Sequence, residues 1–393
     1  MQYIYFDSQK PSACNVTERC VTIRTGDTQV FLRGSIYDLS LDSVSFSDHD
    51  LQENINFLRS INGEYSIIID SPEYTLFATD HMATRDLHFY LSTELKHLVV
   101  GTLRKHVMEG GSKGAWRCMR DQIYVVHKDT FKLDIHQNKH WDLKQSVNNY
   151  DRVYEAFELA CKNRFTNPND KLLLSGGMDS GAIACSLAKL GLRKFTLAHI
   201  QPPETKKMSE DEISCLIHRF KHHKGQILPK FNPTEWDAVK HELNKYDYVE
   251  RYLNPPYDWL VALHAQCVKK VAPDTVGFIS GQDADNLYCD QGMNYKKYRP
   301  KSFFGGYFPE QLEIVFPWYT NMNLWLNDLT HNYFDMEHRL PYLDANLMQA
   351  WFNTTVNLKN RSRKDWIKQY LSDHQYGYYD DWDKFYERFE GNV

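Results

Sequence analysis

The chain has 393 residues, 42% of them hydrophobic and 25% charged, which suits two globular domains and argues against a disordered chain. A formal net charge of −5 gives no support to a broad surface for phosphate backbones, so nucleic acid is an unsupported partner. The N-terminus lacks a charged-then-apolar leader pattern, no apolar run nears the roughly 20 residues that span a bilayer, and the eight cysteines are scattered without a C-x-x-C pair. These features predict a cytoplasmic protein with reduced thiols and no membrane partner.

Up to about residue 145 the pattern is strand-like. Val21–Arg24 and Gln29–Arg33 alternate in polarity, with turn residues at Gly26-Asp27 and Gly34-Ser35. One helix is expected from Asp48 to Ser60, with Leu51, Ile55 and Leu58 on one face. Tyr65–Ile69 and Tyr74–Thr79 flank a turn at Asp70-Ser71-Pro72 and read as a hairpin. Phe89–Leu91 and Leu98–Val100 are further strands, and Gln122–Val126 with Phe131–Ile135 closes this half as another hairpin.

Past residue 148 the texture changes to strands alternating with helices. Tyr150–Arg164 is helical, Lys171–Leu174 is a short buried strand, Gly181–Leu190 is helical, Phe195–Ile200 is a strand and Ser209–Phe220 a helix. That alternation predicts a doubly wound parallel sheet. The expected domains are therefore 1–148 and 149–393. The basic run Arg219–Lys224 reads as a solvated helix end, and the aromatic tail from Tyr376 to Phe389 as a packed cover over the mouth of the site.

Between the strand Lys171–Leu174 and the next helix lies Ser175-Gly176-Gly177-Met178-Asp179-Ser180. The glycines let a phosphate approach the backbone without a Cβ in the way. The amides and the helix N-terminus offer positive partial charge, and Ser175 and Ser180 add hydroxyl donors. Asp179 cannot face a phosphate directly, so its carboxylate makes sense as a ligand to a divalent cation that does. The loop is neither a Walker A sequence nor a Rossmann fingerprint.

Ser-Gly-Gly-Met-Asp-Ser resembles the pyrophosphate-binding loop of the N-type ATP pyrophosphatases, and the chain as a whole resembles the asparagine synthetase and β-lactam synthetase family. Ile279–Tyr288 resembles that family's Ser-Gly-Glu-Gly-Ala-Asp stretch, and Glu337–Asp344 its Glu-x-Arg-x-Pro-Phe-Leu-Asp. Arg363–Trp366 and Trp382–Phe385 fall where its lysine segments lie, while Gly34–Asp38, Asn62–Ser66 and Leu76–His81 match weaker N-terminal positions. The resemblance implies an N-terminal αββα sandwich of the Ntn-hydrolase type, followed by a doubly wound ATP-pyrophosphatase domain. It also implies ATP and Mg²⁺ as cofactors. Leu174, Ser175, Gly176, Gly177, Asp179, Ser180 and Gly281 would surround the phosphates, and the backbone of Leu197 and His199 would pass the adenine. Asp179 and Asp285 would hold the metal, and Lys364 and Lys384 would act in catalysis beside Gln282. Tyr257, Asp258 and Asp283 would lie near the acyl substrate.

The chain departs from the family at informative places. Glutamine-using members need a cysteine at position 2, where this chain has Gln2; Arg33 and Ser35 replace the substrate-holding Asn and Glu. The N-terminal domain is thus expected to be scaffold without glutaminase activity. Gln282 stands where asparagine synthetases have Glu and β-lactam synthetases a catalytic Tyr, and it cannot act as a general base. The expected function is an ATP-dependent ligase that turns a carboxylate into an acyl-adenylate and then an amide. The carboxylate would be a small molecule, a peptide or a nucleotide-linked acid, with ammonia or an external or intramolecular amine as donor; a homo-oligomer is compatible with the sequence. The alternatives are adenylation of a nucleotide-linked or nucleic-acid-linked group, and a non-catalytic nucleotide-binding regulator.

Overall fold

The computed structural model describes residues 2–10, 15–16, 20–37, 39, 46–111, 114–192, 196–200, 210–222, 225–228, 238–239, 241–246, 259–288, 324–359, 361–362 and 364–378. The chain forms two compact units. The first is Met1–Trp141 with Asn232–Ala265 and Glu310–Glu337; the second is Asp142–Phe231 with Gln266–Pro309 and His338–Val393. The chain passes between these units at several points, the first at Trp141–Asp142.

The first unit holds two sheets. One contains β1 (Ile4–Asp7), β2 (Asn15–Val16), β7 (His88–Ser92), β8 (His97–Gly101) and β9 (Trp116–Arg117), in the order β2-β1-β8-β7-β9. The other contains β3 (Val21–Thr25), β4 (Thr28–Ile36), β5 (Gly63–Asp70), β6 (Tyr74–Thr79), β10 (Gln122–His127) and β11 (Leu133–Gln137), in the order β11-β10-β6-β5-β4-β3. The pairings within both are antiparallel.

Strand alternation builds the layers. Phe31, Ile68, Phe77, Tyr124 and Val126 of the second sheet share a core with Ile4, Phe6, Phe89, Leu98 and Val100 of the first. The opposite side chains, among them Val30, Leu32, Ile67, Ile69, Leu76 and Val125, pack with Ile55 and Leu58 of helix α1 (Leu51–Ser60). Helix α2 (Arg104–Gly110) lies against β7 and β8, with Val107 buried. The order is helix, sheet, sheet, helix, because every strand of the second sheet's centre is apolar on both faces and must be covered twice. Asp50 caps α1 by accepting from the Glu53 amide at 2.9 Å, so the helix begins at Leu51 and not at Asp48.

The second unit is built on a sheet of order β14-β13-β12-β15-β16, comprising β12 (Lys171–Leu174), β13 (Thr196–Ile200), β14 (Gly225–Leu228), β15 (Gly277–Ile279) and β16 (Glu337–Arg339). β14, β13, β12 and β15 run parallel. The register pairs Leu174 with His199 on one side of β12 and Leu172 with Ile279 on the other. Helices α3 (Asp151–Arg164), α4 (Met178–Lys189) and α5 (Glu210–His222) alternate with the first strands. α4 starts three residues before the expected Gly181, taking Met178, Asp179 and Ser180 into its first turn, and most of its length is buried. Among the described residues no helix is long and apolar enough to cross a membrane, and Cys118, Cys161 and Cys185 are buried thiols outside any disulfide.

Candidate active site

β12 and β15 are parallel neighbours, so their C-terminal ends meet at one edge of the sheet. That edge is where open parallel sheets bind ligands. The segment Ser175–Ser180 leaves β12 there, and Ser280–Asp283 leaves β15. Gly281 makes the two loops touch: a Cβ on it would lie 2.7 Å from the Ser180 nitrogen and 2.8 Å from the Asp179 Cβ. No larger residue fits that approach.

The Ser175–Ser180 loop is closed by its own hydroxyls. Ser175 Oγ and Ser180 Oγ lie 2.9 Å apart, the Ser175 amide donates to Ser180 Oγ at 3.0 Å, and the Gly177 amide donates to Ser175 Oγ at 3.2 Å. Gly177 is the N-cap of α4, and no side chain caps the helix. Among the described residues the first amides of α4 therefore have no capping side chain, at the positive end of a 12-residue helix. A Cβ at Gly177 would meet, among the described residues, only Ser175 Oγ, at 3.4 Å.

Lys364 reaches this turn from far along the chain. Its Nζ donates to both Asp179 carboxylate oxygens, at 2.7 and 2.6 Å, and its side chain is 3% exposed against 21% for Asp179. Lys364 sits in the left-handed region (φ 52°, ψ 37°) as the N-cap of the helix Asp365–Asp373. A lysine there is strained by roughly 1 kcal/mol or more, and strain of this kind collects at functional sites. The turn that holds it is tied by Asp365, which accepts from Arg361 Nε at 2.7 Å, Ser362 Oγ at 2.7 Å and Tyr150 Oη at 3.0 Å.

The stretch His338–Asp344 acts as a set of staples around the site. His338 Nε2 and Ser280 Oγ lie 2.8 Å apart in a buried contact, fixing the start of the Ser-Gly stretch. Arg339 donates to Asp170 Oδ2 at 2.8 Å and to the Arg164 carbonyl at 2.9 Å. Tyr342 Oη donates to the Asp179 carbonyl at 2.9 Å. Asp344 accepts from Arg164 Nη1 at 2.8 Å and caps the helix Ala345–Asn353 through the Asn346 and Leu347 amides. Sequence reasoning marked this stretch by resemblance but gave these residues no roles, because each partner is remote in sequence.

Several expected site residues converge. Leu174, Ser175, Gly176, Gly177, Asp179, Ser180, Gly281 and Lys364 come from the meeting loops, β12 or the Lys364 turn. Gln282 is half-buried next to Gly281, its amide donating to Ser280 Oγ at 3.3 Å. Asp283 is buried with φ 75°, a backbone state that glycine adopts more readily than aspartate. Leu197 and His199 lie on β13, whose backbone alone is described, and His199 pairs with Leu174 at the same sheet edge. Asp285 lies in the helix Ala284–Tyr288, with its side chain outside the described residues. Lys384, Tyr257 and Asp258 also lie outside them. Among the described residues no three His, Cys, Asp or Glu side chains are grouped to hold a metal.

One expectation is overturned. Arg219, read as part of a solvated helix end, is fully buried on α5. Its guanidinium donates to the Ser175 carbonyl and, at 3.0 Å, to the Gly377 carbonyl, and it lies 5.8 Å from the centre of the Tyr376 ring. Burial pushes its pKa below the ordinary arginine value. Gly181 makes the room, since a Cβ on it would collide with that guanidinium.

In the first unit, the places expected to have lost a glutamine site hold buried charge. Arg33 donates to both carboxylate oxygens of Asp328, at 2.8 and 2.7 Å, and Arg85 reaches Asp328 at 3.4 Å and Glu64 at 3.3 Å. Burial pushes the Asp328 carboxyl up, but Arg33 and Arg85 outweigh it and hold it below the usual carboxylate range. Gln2 is buried, its amide donating to Asn332 Oδ1 and its carbonyl accepting from Asn332 Nδ2, both at 2.6 Å.

No protein-family model matches the chain, and no curated protein sequence matches it. Among solved structures it is similar to glutamine phosphoribosylpyrophosphate amidotransferase from B. subtilis complexed with ADP and GMP. That match has 12% identity and a TM-score of 0.22, over 68% of this chain and 57% of that one. It is also similar to the allosteric regulatory enzyme of purine biosynthesis, at 12% identity and a TM-score of 0.24, over 83% of this chain and 63% of that one. The chain covers less than two thirds of either structure, and likeness at this level assigns it no function.

Proposed function

We propose that this chain is an ATP-dependent ligase that activates a carboxylate as an acyl-adenylate, releases pyrophosphate and passes the acyl group to an amine. The observation that carries the reading is the junction of the Ser175–Ser180 loop, opening α4 without a side-chain cap, with Gly281 and with the Lys364–Asp179 pair. The first amides of α4, two hydroxyls and adjoining glycines fit an oxyanion-rich ligand such as the pyrophosphate part of ATP.

The residues also fit a divalent cation. Each Asp179 oxygen accepts a bond from Lys364, and the side chain is partly open to solvent. Asp179, with Asp285, would hold Mg²⁺, which when bound supplies neutralisation of charge on the leaving pyrophosphate.

In the proposed sequence a substrate carboxylate oxygen forms a bond to the α-phosphorus, and the bond from that phosphorus to the β-bridging oxygen breaks. The electron pair leaves with pyrophosphate. An amine nitrogen then bonds to the acyl carbon, the acyl–oxygen bond to AMP breaks and the amine sheds a proton. The α4 amides and the Ser175 and Ser180 hydroxyls orient the leaving group. Lys364 brings an ammonium to the developing charge, with Lys384 as the second lysine of the reading. Gln282, which carries no charge, would orient the acyl or amine group by hydrogen bonds and not by moving a proton. The family branches with Glu or Tyr at that place are therefore poor guides to the acceptor, and Tyr257, Asp258 and Asp283 are the proposed contacts to it.

The amine would come from outside the first unit. Gln2 supplies no thiol, and Arg33 is committed to Asp328. The proposal is tested with carboxylates labelled with ¹⁸O: an acyl-adenylate route leaves one label in the AMP. AMP that stays unlabelled while amide forms would sink the acyl-adenylate.

A further inference from the structure

The stretch His338–Asp344 reaches the site with two side chains, and they land on different loops. Tyr342 Oη donates to the Asp179 carbonyl at 2.9 Å, on the turn that opens α4. His338 Nε2 lies 2.8 Å from Ser280 Oγ, on the stretch that leaves β15. His338 and Ser280 are both buried. The imidazole packs against Phe278 of β15, with ring centroids 5.8 Å apart, so the sheet itself sets the direction of the ring.

The contact at Ser280 is carried one step further. The Gln282 amide donates to the same Ser280 Oγ at 3.3 Å, so one hydroxyl joins His338 to the backbone of Gln282. The main chain before Gln282 has other supports. The Ser280 amide donates to the Arg339 carbonyl at 3.4 Å, and Gly281 is pressed against Ser180 and Asp179. What His338 adds is a hold on the Ser280 hydroxyl, and through it on the turn at Gln282. The next residue, Asp283, is buried with φ 75°. Gln282, half-buried, thus sits between two buried neighbours with its amide tied back to Ser280.

We infer that His338 is a positioning residue for the acceptor side of the site: through Ser280 it fixes Gln282, whereas Tyr342 serves the phosphate side through Asp179. The inference rests on the proposed role of Gln282 in orienting the acyl or amine group. His338 acts through Ser280 and touches no reacting atom. The two half-reactions are therefore supported by different side chains of one stretch, and substitution can separate them.

The test uses the full chain and His338→Leu, His338→Gln, Ser280→Ala and Tyr342→Phe. Hydrogen exchange of the Gln282 amide is followed without ligand. Carboxylate-dependent exchange of labelled pyrophosphate into ATP, with Mg²⁺, reports the first half-reaction, and amide formation from ammonia reports both. In His338→Leu and Ser280→Ala the Gln282 amide is expected to exchange about tenfold faster or more. In the same variants the ratio of amide formation to pyrophosphate exchange should fall about tenfold. His338→Gln, whose side-chain amide reaches about as far as Nε2, should bring both readouts back to within about threefold of the parent. Tyr342→Phe should keep the parent's Gln282 amide exchange and lower both activities together. Thermal unfolding without ligand shows which variants are folded; if His338→Leu is not, Ser280→Ala carries the test.

Parent-like exchange of the Gln282 amide in folded His338→Leu, or in Ser280→Ala when His338→Leu does not fold, would overturn the inference. So would an equal fall of pyrophosphate exchange and amide formation in that variant, which is how a residue that only holds the fold together behaves. A parent chain that exchanges pyrophosphate with no carboxylate defeats the acyl-adenylate reading, and the inference falls with it. That result differs from an exchanging parent whose His338→Leu variant keeps the parent's ratio, which overturns the inference alone.

Discussion

Breaking the Lys364–Asp179 pair should expose how much of the site is held by one contact between residues 185 positions apart. Each charge-assisted hydrogen bond contributes about 1.5–3 kcal/mol net, and the pair has two. Asp179 keeps a fifth of its surface in water, which screens part of that gain. A coupling energy of about 2–3 kcal/mol is therefore expected from a double-mutant cycle of Asp179→Ala, Lys364→Ala and the double variant, measured by chemical denaturation. Both single changes should destabilise the fold, Asp179→Ala by removing the acceptor of two charge-assisted bonds from a lysine that is 3% exposed. The coupling should persist in about 0.5 M salt, unlike that of the exposed Lys245–Glu242 pair. A coupling below about 0.5 kcal/mol would show that the two groups do not rely on each other, and the account of the loop would lose its anchor.

Gly281→Ala should abolish ATP binding while lowering stability modestly, because its Cβ would press on the Ser180 nitrogen at the loop junction; a parent-like affinity in isothermal titration would refute that packing. Lys359 gives a pH signature. Burial lowers its pKa to about 7, so the folded state gives up this proton before the unfolded state does, and stability should climb between about pH 7 and 10.5, by at most ~1.4 kcal/mol per pH unit. Lys359→Met should remove that climb and raise Tm at pH 6; a Met variant with the parent's pH profile would contradict the assignment. Arg164→Ala should cost about 3–5 kcal/mol in urea unfolding, since it leaves Asp344 buried without its cation, and a loss under about 1 kcal/mol would count against that pair as a strut of the second unit.

How far the sequence could be read depended on whether the cause was local. Lys171–Leu174 and Tyr74–Thr79 were legible to the residue, because short apolar or β-branched runs bounded by turn chemistry have one reading. The start of α4 was misplaced because Met178, Asp179 and Ser180 look like loop residues until the sheet sets Gly177 as the cap. Helix α2 gave no signal: seven residues, a single buried apolar side chain and no side-chain cap leave no periodicity to detect. The Ser175–Ser180 stretch was legible as a strand-to-helix turn, whereas the close approach of Gly281 to Ser180 and Asp179 follows from the pairing of β12 with β15. Arg219 was not, since its role depends on a hole at Gly181 and on carbonyls 44 and 158 residues away. The Arg33–Asp328 contact, 295 residues apart, was equally out of reach.

The most direct test of the account follows the fate of the phosphates. The full chain is incubated with Mg²⁺, ATP labelled at the α-phosphate, a panel of carboxylates and ammonia or amines, and the nucleotide products are separated. The account predicts AMP and pyrophosphate in equal amounts, dependent on a carboxylate and lost in Asp179→Ala. ADP and inorganic phosphate as the products would contradict it.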